Sequence, residues 1–247
     1  MHNEKAFIGL PLYFLNEIPV VPPTIEDIIK ENFWEYLRIL TISQEDLDDE
    51  FAELAAEKEL EVWTPFQYLM LRAHEEPGVL VLLESAIEFF TKVKPTILPT
   101  QMTIFLGSVE DYLLRERPIE FMPKLVDTNF LDFQNLVREA CGSRPVLAPD
   151  PTLHPRAKAM LAKARERDRI KAKQQKGRTL HSLMTAVCCL GVGITPLNIK
   201  DMTYASVLNI LQKYQNKERY DIDVRVLTSG FSTSKKELVH WMDSQDE

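Results

Sequence analysis

Histidine and cysteine are scarce in this chain, at five and three of 247 residues. His2, His74, His154, His181 and His240 meet no second His, Cys or acid at a ligand spacing such as H-E-x-x-H, and Cys141, Cys188 and Cys189 form no zinc pattern, so a zinc hydrolase is disfavoured. His74-Glu75-Glu76 reads as a solvated helix end. Adjacent cysteines rarely bridge each other, and the pair Cys188-Cys189 falls in an apolar stretch with no activating base nearby, so buried, reduced thiols and a cytoplasmic setting are expected. There is no apolar run near the roughly 20 residues a bilayer span requires, and the first apolar stretch is broken at Pro11 and Pro19, so no membrane role is expected. A G-x-S-x-G elbow is missing. Gly191-Val192-Gly193 lacks a third glycine or a following Gly-Lys-Ser/Thr, and Pro196 removes a backbone donor, so it reads as a turn. These absences point away from an enzyme and from any cofactor, although a site assembled from scattered carboxylates stays open.

Charge is distributed unevenly. Ten Lys and Arg between Arg156 and Arg178 face only Glu166 and Asp168, so this segment carries about +8 in a chain whose net charge is −8, and the remainder carries about −16. Arg165, Arg167, Arg169, Lys171 and Lys173 form its densest part. Alanines interleave the cations and Met160, Leu161, Ala164 and Ile170 give a thin apolar stripe, so a helix is expected. Three readings stand beside one another: an exposed linker helix, a surface docking on an acidic partner or on the acidic face of another copy, and a nucleic-acid contact. The last is disfavoured, because no aromatics interleave and the flanking regions repel phosphate.

The pattern predicts an α+β protein, predominantly helical. A domain over 1–143 carries a small sheet. A Pro-rich linker and basic helix occupy 144–178, and a helical module 179–247. Within the first domain, Phe7 to Val21 reads as a small hairpin or a pair of irregular strands, with Asn16-Glu17 between two short apolar runs. Thr24 with Asp27 and Thr64-Pro65 with Gln67 have the form of helix-start boxes. One apolar face is expected from Ile25 to Leu40 through Ile28, Ile29, Phe33, Tyr36 and Leu37, and an acidic amphipathic helix from Ser43 to Glu61. Phe66, Leu69, Met70 and Ala73 line a helix ending at Pro77-Gly78, and Val79 to Val93 reads as the central helix. Short strands at Thr96–Leu98, Met102–Leu106 and Ile119–Met122 are expected to pair with the hairpin, with a helical turn competing at Val109–Arg117. Asp127 or Thr128 is expected to cap a helix with Phe130, Phe133, Leu136 and Val137 inward, closed by Gly142.

In the last module, Leu180, Leu183, Met184 and Val187 suggest a short helix, and Ile194–Ile199 an extended connection. Thr203 reads as a cap before Val207, Ile210, Leu211 and Tyr214. Strand competes with helix over Tyr220–Leu227, and Ser234–Trp241 reads as a last helix. Phe231, Leu238 and Trp241 are candidate contact anchors, with core packing of Trp241 an equal alternative.

Val126-Asp127-Thr128-Asn129-Phe130 opening a helix, the Pro-rich stretch with Ala157-Lys158 and the basic helix, and then Leu197-Asn198-Ile199, Met202-Thr203-Tyr204, Tyr220-Asp221, Gly230, Lys235-Lys236 and Trp241 resemble, over about Pro23 to Trp241, a family encoded in tailed-phage morphogenesis clusters. Its members look like tail or baseplate assembly proteins, including tail assembly chaperones. The resemblance implies a non-enzymatic binding role with a phage tail protein, such as the tape measure or a baseplate component, as partner. It implies a location in the host cell cytoplasm, or in the virion tail for a retained structural component. A nucleic-acid-binding protein using the basic helix is the alternative from another class.

Overall fold

A computed structural model describes residues 2–44, 46–47, 63–107, 121–146, 179–191 and 193–229, together with Met160, Lys163 and Arg167. The protein is predominantly helical α+β, and the described residues include one two-stranded and one three-stranded sheet. The chain divides into two compact units, residues 1–145 with 200–209, and residues 146–199 with 210–247.

The first unit begins with α1 (His2–Phe7) and a hairpin of β1 (Leu12–Phe14) and β2 (Ile18–Val20). Antiparallel pairing sets Leu12 opposite Val20 and Phe14 opposite Ile18. These four side chains are buried on one face, while Tyr13 between them is exposed, the alternation a half-buried strand requires. At the turn, Glu17 N–H donates to the Phe14 carbonyl at 3.1 Å, and Leu15 and Asn16 both adopt positive φ, at +50° and +60°.

Helix α2 (Ile25–Lys30) starts at the box anticipated from sequence: Thr24 Oγ1 accepts from Asp27 N–H, and the Asp27 carboxylate accepts from Thr24 N–H. The single apolar helix expected over Ile25–Leu40 is instead two. α2 stops at Lys30 and α3 (Phe33–Leu40) follows after Glu31-Asn32. One continuous helix would have turned Asn32 inward, because the buried residues Ile28 and Phe33 lie five positions apart. The break returns Phe33 to the core and leaves Ile29 61% exposed.

Beyond α3, Ser43 Oγ accepts from Asp46 N–H and Leu47 is buried, a helix start as expected; the rest of the acidic stretch lies outside the described residues. Helix α4 (Pro65–Glu75) carries the second capping box, Thr64 with Gln67, and buries Phe66, Leu69, Met70 and Ala73. Pro77 ends it and also opens α5 (Pro77–Thr91), the central helix, which buries Leu83, Ala86, Ile87, Phe89 and Phe90. Phe33 meets Phe89, Phe90 and Trp34 with ring centroids 4.9–6.3 Å apart, the arrangement aromatic quadrupoles favour.

Strands β3 (Pro95–Leu98), β4 (Thr103–Leu106) and β5 (Lys124–Leu125) form their own antiparallel sheet, not the expected extension of the hairpin. Pro99–Gln101 makes a tight turn that returns the chain so that Thr96 pairs with Phe105, which satisfies β3 locally. The third strand falls at Lys124–Leu125, after Phe121-Met122, while Val109–Arg117 lies outside the described residues. Helix α6 (Asp127–Ala140) buries Phe130, Phe133, Gln134 and Val137. Its start is closed by Asn129 Oδ1, which accepts from Val126 N–H at 2.9 Å, and not by an Asp127 or Thr128 cap. Asp127 accepts from Thr64 Oγ1, tying α6 to the start of α4. Its end is a left-handed Gly142 at φ +72°, with Gly142 N–H donating to Glu139 O and Ser143 N–H to Arg138 O.

Residues 200–209 complete this unit from far along the chain. Thr24 and Thr203 form an antiparallel bridge, Ile25 N–H donates to Met202 O, and Tyr204 N–H donates to Pro23 O, both at 2.9 Å. Here α8 (Tyr204–Thr228) begins. Thr203 Oγ1 accepts from Ser206 N–H at 3.1 Å, confirming Thr203 as its cap. The two hydroxyls also satisfy the end of α1, Thr203 Oγ1 donating to Ala6 O at 3.2 Å and Ser206 Oγ to Phe7 O. Tyr204 packs edge-on to Phe33 and Trp34.

In the second unit, α7 (Leu180–Cys189) is capped by Thr179, whose Oγ1 accepts from Ser182 N–H, and buries Leu183 and Val187. The expected extended connection at Ile194–Ile199 is a turn. Thr195 N–H donates to Asn198 Oδ1 at 2.7 Å and Asn198 Nδ2 to Gly193 O, a side-chain substitute for backbone pairing. Tyr220–Leu227 is helical, within α8, so the competing strand reading does not hold. Ser234–Trp241 lies outside the described residues.

Candidate partner-binding surface

Met160, Lys163 and Arg167 are helical and exposed. Their spacing of three and seven places all three on one side of a helix, a thioether followed by two cations. Of the residues singled out for contact, Arg167 is therefore a solvent-facing guanidinium. Arg165, Arg169, Lys171, Lys173, Phe231, Leu238 and Trp241 lie outside the described residues. Within 210–228 of α8, no described residue is fully buried, and Ile222 and Val226 are exposed apolar side chains on one face, four residues apart.

The cysteines are disposed differently from the sequence expectation. Cys141 is the buried thiol, held protonated by desolvation, whereas Cys189 is exposed and Cys188 half-buried on α7. Gly191 and Gly193 have positive φ, at +69° and +79°, and make the turn anticipated there. Among the described residues, no group of three or more His, Cys, Asp or Glu is arranged to hold a metal, and no helix is long and apolar enough to cross a membrane.

Two surface features of the first unit were not read from sequence. A groove of about 400 Å³ is lined by Asp27, Glu31, Tyr36, Ser85, Glu88, Phe89 and Lys92. Its floor is aromatic: Tyr36 and Phe89 lie 5.5 Å apart between centroids, and Lys92 Nζ sits 4.8 Å over the Phe89 ring. Burial raises the Tyr36 hydroxyl above its ordinary range, reinforced by the charge of Glu31. The hairpin tip is the second feature: exposed Leu15 separates two shallow depressions, one walled by Tyr13, Asp132 and Glu139, the other by Phe121 and Lys124. No motif announces either site, because each gathers residues from elements far apart in the chain.

Residues 171–246 match the family model described as YomV second domain, a phage-derived family of Bacillus prophage origin. The matched region starts inside the basic segment and runs through α7 and α8. This part of the chain is similar to a phage-associated domain, in keeping with the phage side of the resemblance. Comparison with curated proteins and with solved structures gave no match.

Proposed function

We propose that this chain is a non-enzymatic assembly factor for a phage tail or baseplate, similar in role to a tail assembly chaperone, that binds a tail structural protein such as the tape measure. The observation that carries this reading is the match of residues 171–246 to a phage-derived domain, which starts within the strongest charge feature of the chain. Cations at Lys163 and Arg167 face solvent, so the described part of the basic segment is available to an acidic polypeptide. Two modules joined in one chain engage a long partner at two points, and the second contact then forms at the effective concentration set by the connection.

The test is capture of tail and baseplate proteins encoded in the same genome on the purified full-length chain. A stoichiometric tail partner, retained on the wild type and weakened by Lys163→Glu/Arg167→Glu, is the expected result. Capture of none of them overturns the reading. Mass spectrometry of purified virions then separates an assembly factor, absent from the particle, from a retained structural component.

A further inference from the structure

Two surfaces of this chain are complementary to each other. The groove beside α2, α3 and α5 presents the carboxylates of Asp27, Glu31 and Glu88 against the single ammonium of Lys92, above the Tyr36 and Phe89 rings. One Asp27 oxygen is committed to the Thr24 capping box, which leaves exposed Glu31 and Glu88 as the available anions. Lys92, seated over Phe89, shows that this ring face accommodates an ammonium. The complementary surface is formed by three helical residues, Met160, 68% exposed, and the two exposed cations Lys163 and Arg167.

We propose that the groove receives cationic side chains from the Met160–Lys163–Arg167 face of a second copy of this chain, so that copies associate head to tail. This rests on the reading of the basic segment as a protein contact and names its partner surface. The groove has room for one or two side chains and none for a helix about 10 Å across, so the helix lies along the acidic rim. Charge selects this pairing. The basic segment carries about +8 and the rest of the chain about −16, so basic segment against acidic unit attracts, while acidic unit against acidic unit repels. The Met160 thioether adds an apolar contact that suits an aromatic floor. Such an interface joins two different patches, so its growth does not stop at a symmetric dimer unless a ring closes.

Sedimentation equilibrium of the purified chain, without other proteins, tests this separately from tail-protein capture. The expected result is concentration-dependent association at low salt, weakened at least about tenfold between roughly 50 and 300 mM salt as screening sets in. Glu31→Lys/Glu88→Lys and Lys163→Glu/Arg167→Glu should each abolish it with circular dichroism unchanged, and an equimolar mixture of the two variants should restore it. Across that mixture the native basic face of the groove variant meets the native groove of the helix variant, and the two reversed surfaces are of opposite sign as well, so a mixture that stays monomeric also overturns the proposal. Combining all four substitutions in one chain should restore association. A monomer at low salt, indifference to salt, survival of association in either double variant, or failure of the fourfold variant to associate overturns the proposal. If the proposal fails while a tail partner is still captured, the assembly reading stands and only the self-contact is lost.

Discussion

Gly142 packs directly against Ala205: a Cβ added to Gly142 would sit 3.0 Å from the Ala205 Cα and 3.2 Å from its Cβ. The glycine also occupies the left-handed region, at φ +72°, where it closes α6. Gly142→Ala therefore combines a backbone cost of about 1–2 kcal/mol with an overpacking cost of about 1–3 kcal/mol. We expect a total loss near 3 kcal/mol, read from the urea midpoint of the first unit's unfolding. Gly191→Ala is the comparison, since that glycine has φ +69° and no atom within 4 Å of the added carbon. It should cost only the backbone part, about 1–2 kcal/mol. Equal losses at the two positions would show that the approach to Ala205 relaxes freely.

Thr203 has two tasks at one hydroxyl: it caps α8 by accepting from Ser206 N–H, and it donates to the Ala6 carbonyl. Thr203→Val keeps the shape and removes both. The loss of a cap costs about 1 kcal/mol and the loss of one of the two hydrogen bonds to the Ala6 carbonyl, which keeps the one from Gly9 N–H, about 0.5–1.5 kcal/mol, so a total of about 1.5–2.5 kcal/mol is expected. Hydrogen exchange should localise the effect: the amides of Ile8, Gly9 and Leu10, bonded to carbonyls of α1, should exchange faster, together with the Tyr204 amide bonded to Pro23. Unchanged exchange at both places would refute a clasp between α1 and the start of α8. A chain ending at residue 199 should likewise lose cooperative unfolding of the first unit, because Tyr204 and Val207 leave its core.

Local chemistry was the legible part of this fold. Thr24 with Asp27, Thr64 with Gln67, the Thr203 cap and the Gly142 stop each place donor and acceptor within four residues, so spacing alone identifies them. The break after Lys30 was hidden because Ile25, Ile28, Phe33, Tyr36 and Leu40 read as a nearly regular stripe, and only the five-residue step from Ile28 to Phe33 betrays it. Strand partners were not legible either. Ile97 pairs with Ile104 through a turn too short to suggest a separate sheet, and nothing in β3 distinguishes that neighbour from the hairpin. The contacts of Thr203 with Ala6 and of Tyr204 with Phe33 cross most of the chain, and no periodicity carries information over that distance. For the contact surface, sequence reached the cations but not their counterpart, since Glu31 and Glu88 become neighbours only when α3 packs on α5.

The end of α3 is closed by α6. Gln134 Nε2 donates to Leu40 O at 2.9 Å and Ile42 O at 3.0 Å, and Arg138 Nη2 donates to Thr41 O. Both side chains satisfy carbonyls that a helix end leaves without partners. They should not be equivalent. Gln134 is buried and neutral, so Gln134→Leu leaves the Leu40 carbonyl buried and unpaired, at about 2–3 kcal/mol. Burial works against the charge of Arg138, and its Nε lacks an acceptor among the described residues, so Arg138→Met recovers part of what it removes. A loss of about 1 kcal/mol or less is expected there. Thermal unfolding of the two variants side by side checks the order, and a larger loss for Arg138→Met would show that the cation at the helix end outweighs its desolvation.

Cys141 should make the stability of the first unit fall at alkaline pH. Desolvation raises its folded-state pKa far above that of an unfolded thiol, so the unfolded chain loses this proton first. The native state then binds more protons than the unfolded state, and stability declines with rising pH. The contribution is fully present below the unfolded pKa of about 8.5 and decreases by about 1.4 kcal/mol for each pH unit above it. Burial also raises the Tyr204 hydroxyl, with the Cys141 charge as a second cause, which steepens the decline above about pH 10. Urea unfolding under reducing conditions at pH 8 and pH 9.5 should show the drop in wild type and lose most of it in Cys141→Ala, measured against that variant's own lower baseline. Thiol labelling of the folded chain gives an independent reading: Cys189 should react promptly and Cys141 only on unfolding. Rapid labelling of Cys141 at pH 8, or an unchanged pH slope in Cys141→Ala, would place the alkaline sensitivity elsewhere.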